Sequence, residues 1–164
     1  MGIQLDEALI ALLRDETSTK VLATVGADGA PHAVVKQSLS VDGEGQLVHL
    51  ELLESSRTNK NLLRALWSDG RVSVLVRGGA ESWQVKGRPL RADVAGPEFQ
   101  EEYVRIRARL GDVDLAARWV IEPEEVIRQS FAVRRAQEEL AHPHFVHLDR
   151  IRAEPGPAAA QEIP

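Results

Sequence analysis

Ser55-Ser56-Arg57-Thr58-Asn59-Lys60-Asn61-Leu62 joins a β-like run, Leu47 to Leu53, to a helix-like run carrying Leu62, Leu63 and Leu66. Serines stand where a helix cap is expected. Two cations, a hydroxyl and unpaired backbone N–H groups therefore meet at a helix N-terminus. The helix dipole and the free donors both favour an anion there, and a phosphate fits that description. Taken alone, these residues suit an ordinary capped helix with solvated charges better than a ligand site. The surrounding strand order shifts that balance.

Working outward, Leu5 to Arg14 reads as a helix with Leu5, Leu9, Leu12 and Leu13 on one face. Val21 to Val25 is strand-like, Asp28-Gly29 marks a turn, and His32 to Val41 reads as the returning strand. Asp42-Gly43-Glu44-Gly45 turns the chain into a third strand, Gln46 to Glu54. The helix from Arg57 to Trp67 follows and ends at Ser68-Asp69-Gly70. Arg71 to Arg77 and Ser82 to Val94 are the fourth and fifth strands, and Gly87 beside Pro89 predicts a bulge or bend in the fifth. Pro97 to Leu110 is helical and closed by Gly111; Leu115 to Val120 reads as a short helix or irregular link. Pro123 and the acids around it predict a helix over Glu122 to Leu140, and Phe145 to Leu148 a last strand. Tight turns between short strands exclude parallel crossovers and predict a small antiparallel barrel with flanking helices. Residues 1–152 are expected to form one domain, with 153–164 a flexible tail.

The 164 residues can build a real core, and 43% are hydrophobic. A net charge of −5 argues against nucleic acid as a partner. Cysteine is absent, which removes disulfides, thiolate metal sites and a cysteine nucleophile. No run is long and apolar enough to span a membrane, no signal-peptide core opens the chain, and Asp6 breaks the myristoylation pattern after Gly2. A soluble, cytoplasmic protein is expected. The spacing of His142, His144 and His147 invites a metal reading, but no acidic or cysteine partner has ligand spacing, so no metal is expected.

Strand parity sorts the candidate surfaces. Ala33, Val35, Gln37, Leu39 and Val41 are expected to point inward, with Lys36 and Ser38 outward. Val48, Leu50 and Leu52 oppose His49, Glu51 and Leu53; Trp83 and Val85 oppose Gln84, Lys86 and Arg88. Any one outward polar group is ordinarily solvated, and the mixed faces are open to three readings: a cofactor groove, a dimer interface or bulk solvent.

This arrangement resembles the flavin-binding split-barrel superfamily, which includes the pyridoxamine 5'-phosphate oxidases and small FMN-binding proteins. Four features carry the likeness: the hairpin Ala23 to His32 with its Gly-x-x-Gly-x-Pro-like turn; the Ser56 to Leu62 segment; Gly70-Arg71-Val72-Ser73-Val74; and Val85-Lys86-Gly87-Arg88 followed by Gly96-Pro97-Glu98-Phe99. The resemblance implies a six-stranded antiparallel split barrel, a homodimer, and FMN in a groove between protomers. It implies that Arg57 and Thr58 hold the FMN phosphate with Lys60 assisting. Val35, Lys36 and Gln37 would run beside the ribityl chain and ring, Leu52 and Leu53 would meet the ring by their backbone, and Gln84 and Lys86 would reach it from another strand. Thr58 replaces a frequent second lysine, Glu54 replaces a small hydroxyl residue, and the C-terminal tryptophan and arginine segment of the vitamin B6 oxidases has no counterpart. The expected function is an FMN-dependent oxidoreductase of unknown substrate, or a non-catalytic module holding flavin, haem or another flat ligand.

Overall fold

A computed structural model describes residues 3–143 of the chain. It divides into two compact units, Met1–Phe131 and Ala132–Pro164. The first holds one seven-stranded antiparallel sheet: β1 (Thr19–Val25), β2 (Pro31–Val35), β3 (Ser40–Val41), β4 (Leu47–Glu51), β5 (Val72–Gly78), β6 (Glu81–Asp93) and β7 (Ala117–Arg128). The order across the sheet is β2-β1-β5-β6-β7-β4-β3. Its helices are α1 (Glu7–Arg14), α2 (Arg57–Ser68) and α3 (Pro97–Leu110); α4 (Phe131–Ala141) lies in the second unit from its second residue onward.

The chain itself forces this sheet to curl. Its two edge strands, β2 and β3, are consecutive and joined by only Lys36 to Leu39. Six strand spacings would put the edges of a flat sheet about 29 Å apart. Five peptide steps reach at most about 18 Å. The link is stitched to both sides of the seam. The Lys36 N–H donates to the Lys20 carbonyl on β1 at 2.8 Å, and Ser38 Oγ accepts from the Leu50 N–H on β4 at 3.2 Å.

The core fills the curl. Leu22, Val74, Val76, Val85, Trp119 and Ile121 are almost wholly buried, and Leu9, Leu13 and Leu62 bring α1 and α2 onto them. Each such side chain contributes about 1.5–3 kcal/mol of burial. α1 starts two residues later than the periodicity predicts, because Leu5 packs into the core ahead of the Asp6 cap, whose carboxylate accepts from the Ala8 N–H.

Three expectations are corrected. There are seven strands, because His32 to Val41 is two strands broken by a turn in which the Leu39 N–H donates to the Lys36 carbonyl. That turn resets the alternation: Leu39 is fully buried, whereas Val35 is 60% exposed and faces outward. The stretch 117–128 is strand. Ala117 to Ile121 is buried on both faces, so it shows no period, and Pro123 sits opposite Gly87 at a register shift where no ladder N–H is needed. The acids there pair across strands, Glu124 with Arg71, Glu122 with Arg88 and Glu125 with Lys86, not along a helix. The bulge read from Gly87 and Pro89 stands at those positions. The expected strand Phe145 to Leu148, with His144 and His147, lies outside the described residues.

In the second unit, α4 carries an Arg135–Glu139 ion pair at 2.9 Å and an Arg134–Gln137 hydrogen bond at 3.1 Å.

Candidate functional site

The start of α2 is held from three directions. Ser56 caps it by accepting from the Asn59 N–H, and its hydroxyl donates to Glu51 at 2.8 Å. Asn59 is buried; its amide donates to the Glu54 carbonyl and its oxygen accepts from the Trp119 indole on β7, both at 2.9 Å. Two residues on, the buried Asn61 donates to Thr24 on β1 at 2.9 Å. These bonds fix the first turn of α2 against β1, β4 and β7 together. The left-handed Asp69 (φ 54°) ends the helix, and the Gly70 N–H returns to the Ala65 carbonyl.

With Asn59 capped by Ser56, the N–H groups of Arg57 and Thr58 have no acceptor among the described residues. Among the described residues Arg57 and Lys60, both exposed, have no ion-pair partner, and neither has Glu54, whose exposed carboxylate could have neutralised them. This is a fixed helix start with two free donors and two free cations. It has the chemistry to take a phosphate. Thr58 stands apart, because its side chain is buried and its hydroxyl lies 3.5 Å from His32 Nε2.

Behind this corner is a polar core that strand parity alone does not reveal. Leu47 and His49 share the face of Ile121 and Trp119, so the mixed face of β4 is the inner one. Ser38 Oγ lies 2.9 Å from His49 Nδ1, and His49 Nε2 lies 3.4 Å from Glu51. Lys36 Nζ lies 3.1 Å from the same carboxylate, which also receives Ser56, while its other oxygen accepts from the Leu53 N–H. Burial pushes the Glu51 pKa up, but the hydrogen bonds from His49, Ser56 and Lys36 outweigh it and hold the group down at about 2. Burial holds His49 below its ordinary value against the pull of Glu51. The Ser38–His49–Glu51 order mimics an acyl-transfer relay, yet Ser38 Oγ is within hydrogen-bond distance of both the carbonyl and the N–H of Leu50. A hydroxyl tied down in this way is a brace for the seam and no nucleophile.

The structure sorts the remaining candidates into two groups. Lys36, Leu52, Leu53 and Arg57 gather around the Glu51–Ser56 corner. Val35, Gln84 and Lys86 lie on the outer sheet face, where Val35, Val21, Leu75 and Gln84 form one cross-strand row. Val35 and Gln84 are three strand spacings apart, about 14 Å. Gln84 is bonded to Ser73 and Gln129, and Lys86 to Glu125. Gln37 joins neither group; its amide is spent on the Glu16 and Ser18 carbonyls and on the Lys20 N–H. Sequence reasoning missed His49, Glu51, Asn59 and Trp119. The available signal was a histidine and a glutamate alternating with apolar residues in a strand that must bury both faces. A shallow surface depression among Arg71, Arg88, Glu122 and Glu124 is distant in character, because its cations already face carboxylates.

The fold is a split barrel. No protein-family model and no curated protein matches the chain. Solved structures do. HupZ of Group A Streptococcus superposes with a TM-score of 0.65 at 15% identity, over 78% of this chain and 96% of that one. An FMN-binding protein from Syntrophomonas wolfei subsp. wolfei gives 0.59 at 15% identity over 76% and 83%. A protein from Lactobacillus delbrueckii, provisionally named a pyridoxamine 5'-phosphate oxidase, gives 0.56 at 21% identity over 76% and 93%.

Proposed function

We propose that this chain is a flavin-binding split-barrel protein that takes FMN by its phosphate and acts, as a homodimer, in redox chemistry on an unidentified substrate. The observation that carries the reading is the start of α2: two free N–H donors and the unpaired cations Arg57 and Lys60, on a helix end fixed by Ser56 and Asn59. An S. wolfei protein with this fold is FMN-binding, which supports the choice of ligand.

The dimer rests on the outer sheet face. Val25, Val35 and Leu75 there are exposed apolar residues on β1, β2 and β5. A single protomer keeps Val35 and Gln84 too far apart to serve one ring edge, so a second copy completes the cradle in this reading. Bound FMN would supply the hydride and electron chemistry. Arg57, with the N–H groups of Arg57 and Thr58, would anchor the phosphate. Leu53, which is 66% exposed, would shield the ligand from water, and Lys36 would place positive charge at the corner. No described side chain is placed as a dedicated acid or base.

One observation favours the second reading, a holder of flavin, haem or another flat ligand without turnover. Both lysines expected near the ring are already paired, Lys36 with Glu51 and Lys86 with Glu125. Calorimetry and absorption spectra of the flavin-free protein decide. Tight FMN and weak riboflavin binding support the phosphate grip; equal affinities, or a protein that ignores FMN, overturn it.

A further inference from the structure

One face of α2 extends the phosphate corner outward. At 100° per residue, Arg57, Lys60, Arg64 and Trp67 fall within an arc of about 80°. All four are exposed, and Trp67, at 86%, is the most exposed large apolar side chain among the described residues. The twelve residues of α2 include no acid, although the chain as a whole carries −5. None of the three cations forms an ion pair among the described residues, where the Arg64 side chain reaches only the Ala27 carbonyl, at 3.4 Å. Asp69, just past the helix, is engaged with Arg88. The stripe is therefore uncompensated positive charge ending in a bare indole.

Its spacing has a chemical reading. Trp67 lies two turns beyond Lys60, about 10 Å along the axis. Helical side chains lean back toward the N-terminus onto the i−3 and i−4 positions, so the indole leans toward Arg64 and Leu63, on the side of the helix start. An anion at the helix start, a second anion one turn on and a flat ring against an indole describe a pyrophosphate continuing into a nucleoside. Bases stack on tryptophan whatever their identity, and a guanidinium beside the ring adds to the attraction. A purely anionic chain would use the cations and leave the indole without a role.

Resting on the flavin reading above, we propose that the Lys60–Arg64–Trp67 stripe is a subsite for the adenylate half of a dinucleotide flavin, so that the protein takes FAD with its adenine against Trp67. The phosphate at Arg57 would then be the flavin-side member of the pyrophosphate, with Lys60 on the other.

Calorimetry of the flavin-free full chain with FMN and FAD tests this in wild type, Trp67→Ala and Arg64→Gln. The expected result is FAD at least tenfold tighter than FMN in wild type. Trp67→Ala should erase that advantage and leave FMN affinity unchanged, and Arg64→Gln should reduce it several-fold. Both side chains are exposed, so circular dichroism should show folded variants. FMN binding with FAD no tighter overturns the subsite and leaves the FMN reading intact. Binding of neither flavin overturns both. A Trp67→Ala chain that sediments as monomer while wild type is dimeric, with FAD preference unaltered, assigns the indole to an interface and overturns the subsite as well.

Discussion

Neutralising Glu51 by Glu51→Gln removes the charge on which Lys36, His49 and Ser56 converge. The folded protein holds this carboxyl at about 2, against 4.5 for the unperturbed group. A folded pKa below the unfolded one means the unfolded chain binds the extra proton. The stabilisation is therefore complete above about pH 5 and is lost as pH falls toward 2. The gap corresponds to about 3 kcal/mol, of which about 2 is gone by pH 3. Removing the carboxylate at pH 7 should cost at least this, because Lys36 is left half-buried and unpaired. The assay is carbon-13 NMR of the Glu51 carboxyl across pH, with urea unfolding of wild type and Glu51→Gln at pH 7. The resonance should show no inflection in the folded protein down to pH 3, and the variant should be less stable by about 3 kcal/mol. A midpoint at 4 or above in the folded state would refute the argument that the hydrogen bonds overcome burial.

Other outcomes follow from the same geometry. Arg57→Ala should weaken FMN binding by about 1.5–3 kcal/mol, and more than Lys60→Ala, because a guanidinium fork on the first turn meets phosphate better than a lysine one turn further in; calorimetry reads the difference. Asn59→Ala should destabilise the fold by about 1–3 kcal/mol, since the Trp119 N–H is left buried without an acceptor, as measured by urea unfolding. Gly87→Ala should cost about 1–3 kcal/mol or more in the same assay, because a Cβ there would lie 2.3 Å from the Glu122 carbonyl oxygen, a backbone atom that cannot swing aside. Light scattering at micromolar concentration should show a dimer, and monomer alone would remove the shared cradle from the proposal.

What was legible in the sequence was the punctuation. Asp28-Gly29 turns the chain where a positive φ angle is needed, and Ser56 caps the helix that the serines announce. The split-barrel likeness read from short motifs agrees with the fold. The failures have a common cause. Alternation reports which way a strand faces only while one face is wet, and Ala117 to Ile121 and Leu47 to His49 bury both. The link from Lys36 to Leu39 resets parity, so no pattern before it predicts the faces after it. Glutamates near a proline read as a helix start because cross-strand ion pairs leave no mark in local spacing. The candidate site was half visible: Arg57 and Lys60 stand in the motif, while the Glu51 and Asn59 bonds that fix them depend on residues from 36 to 119.

The pairing of β4 with β7 also sets an order of events during synthesis. Leu47 finds Ile121 and His49 finds Trp119 across some seventy intervening residues. Until that later segment has left the ribosome, β4 has only the two-residue β3 as neighbour, and an edge with buried charge stands open. The hairpins β1–β2 and β5–β6 can close as they emerge, with little loop entropy to overcome. The indole that secures Asn59 arrives with β7. The start of α2 is thus among the last parts of the barrel to become rigid, and a nascent chain gains that order only as its sheet closes.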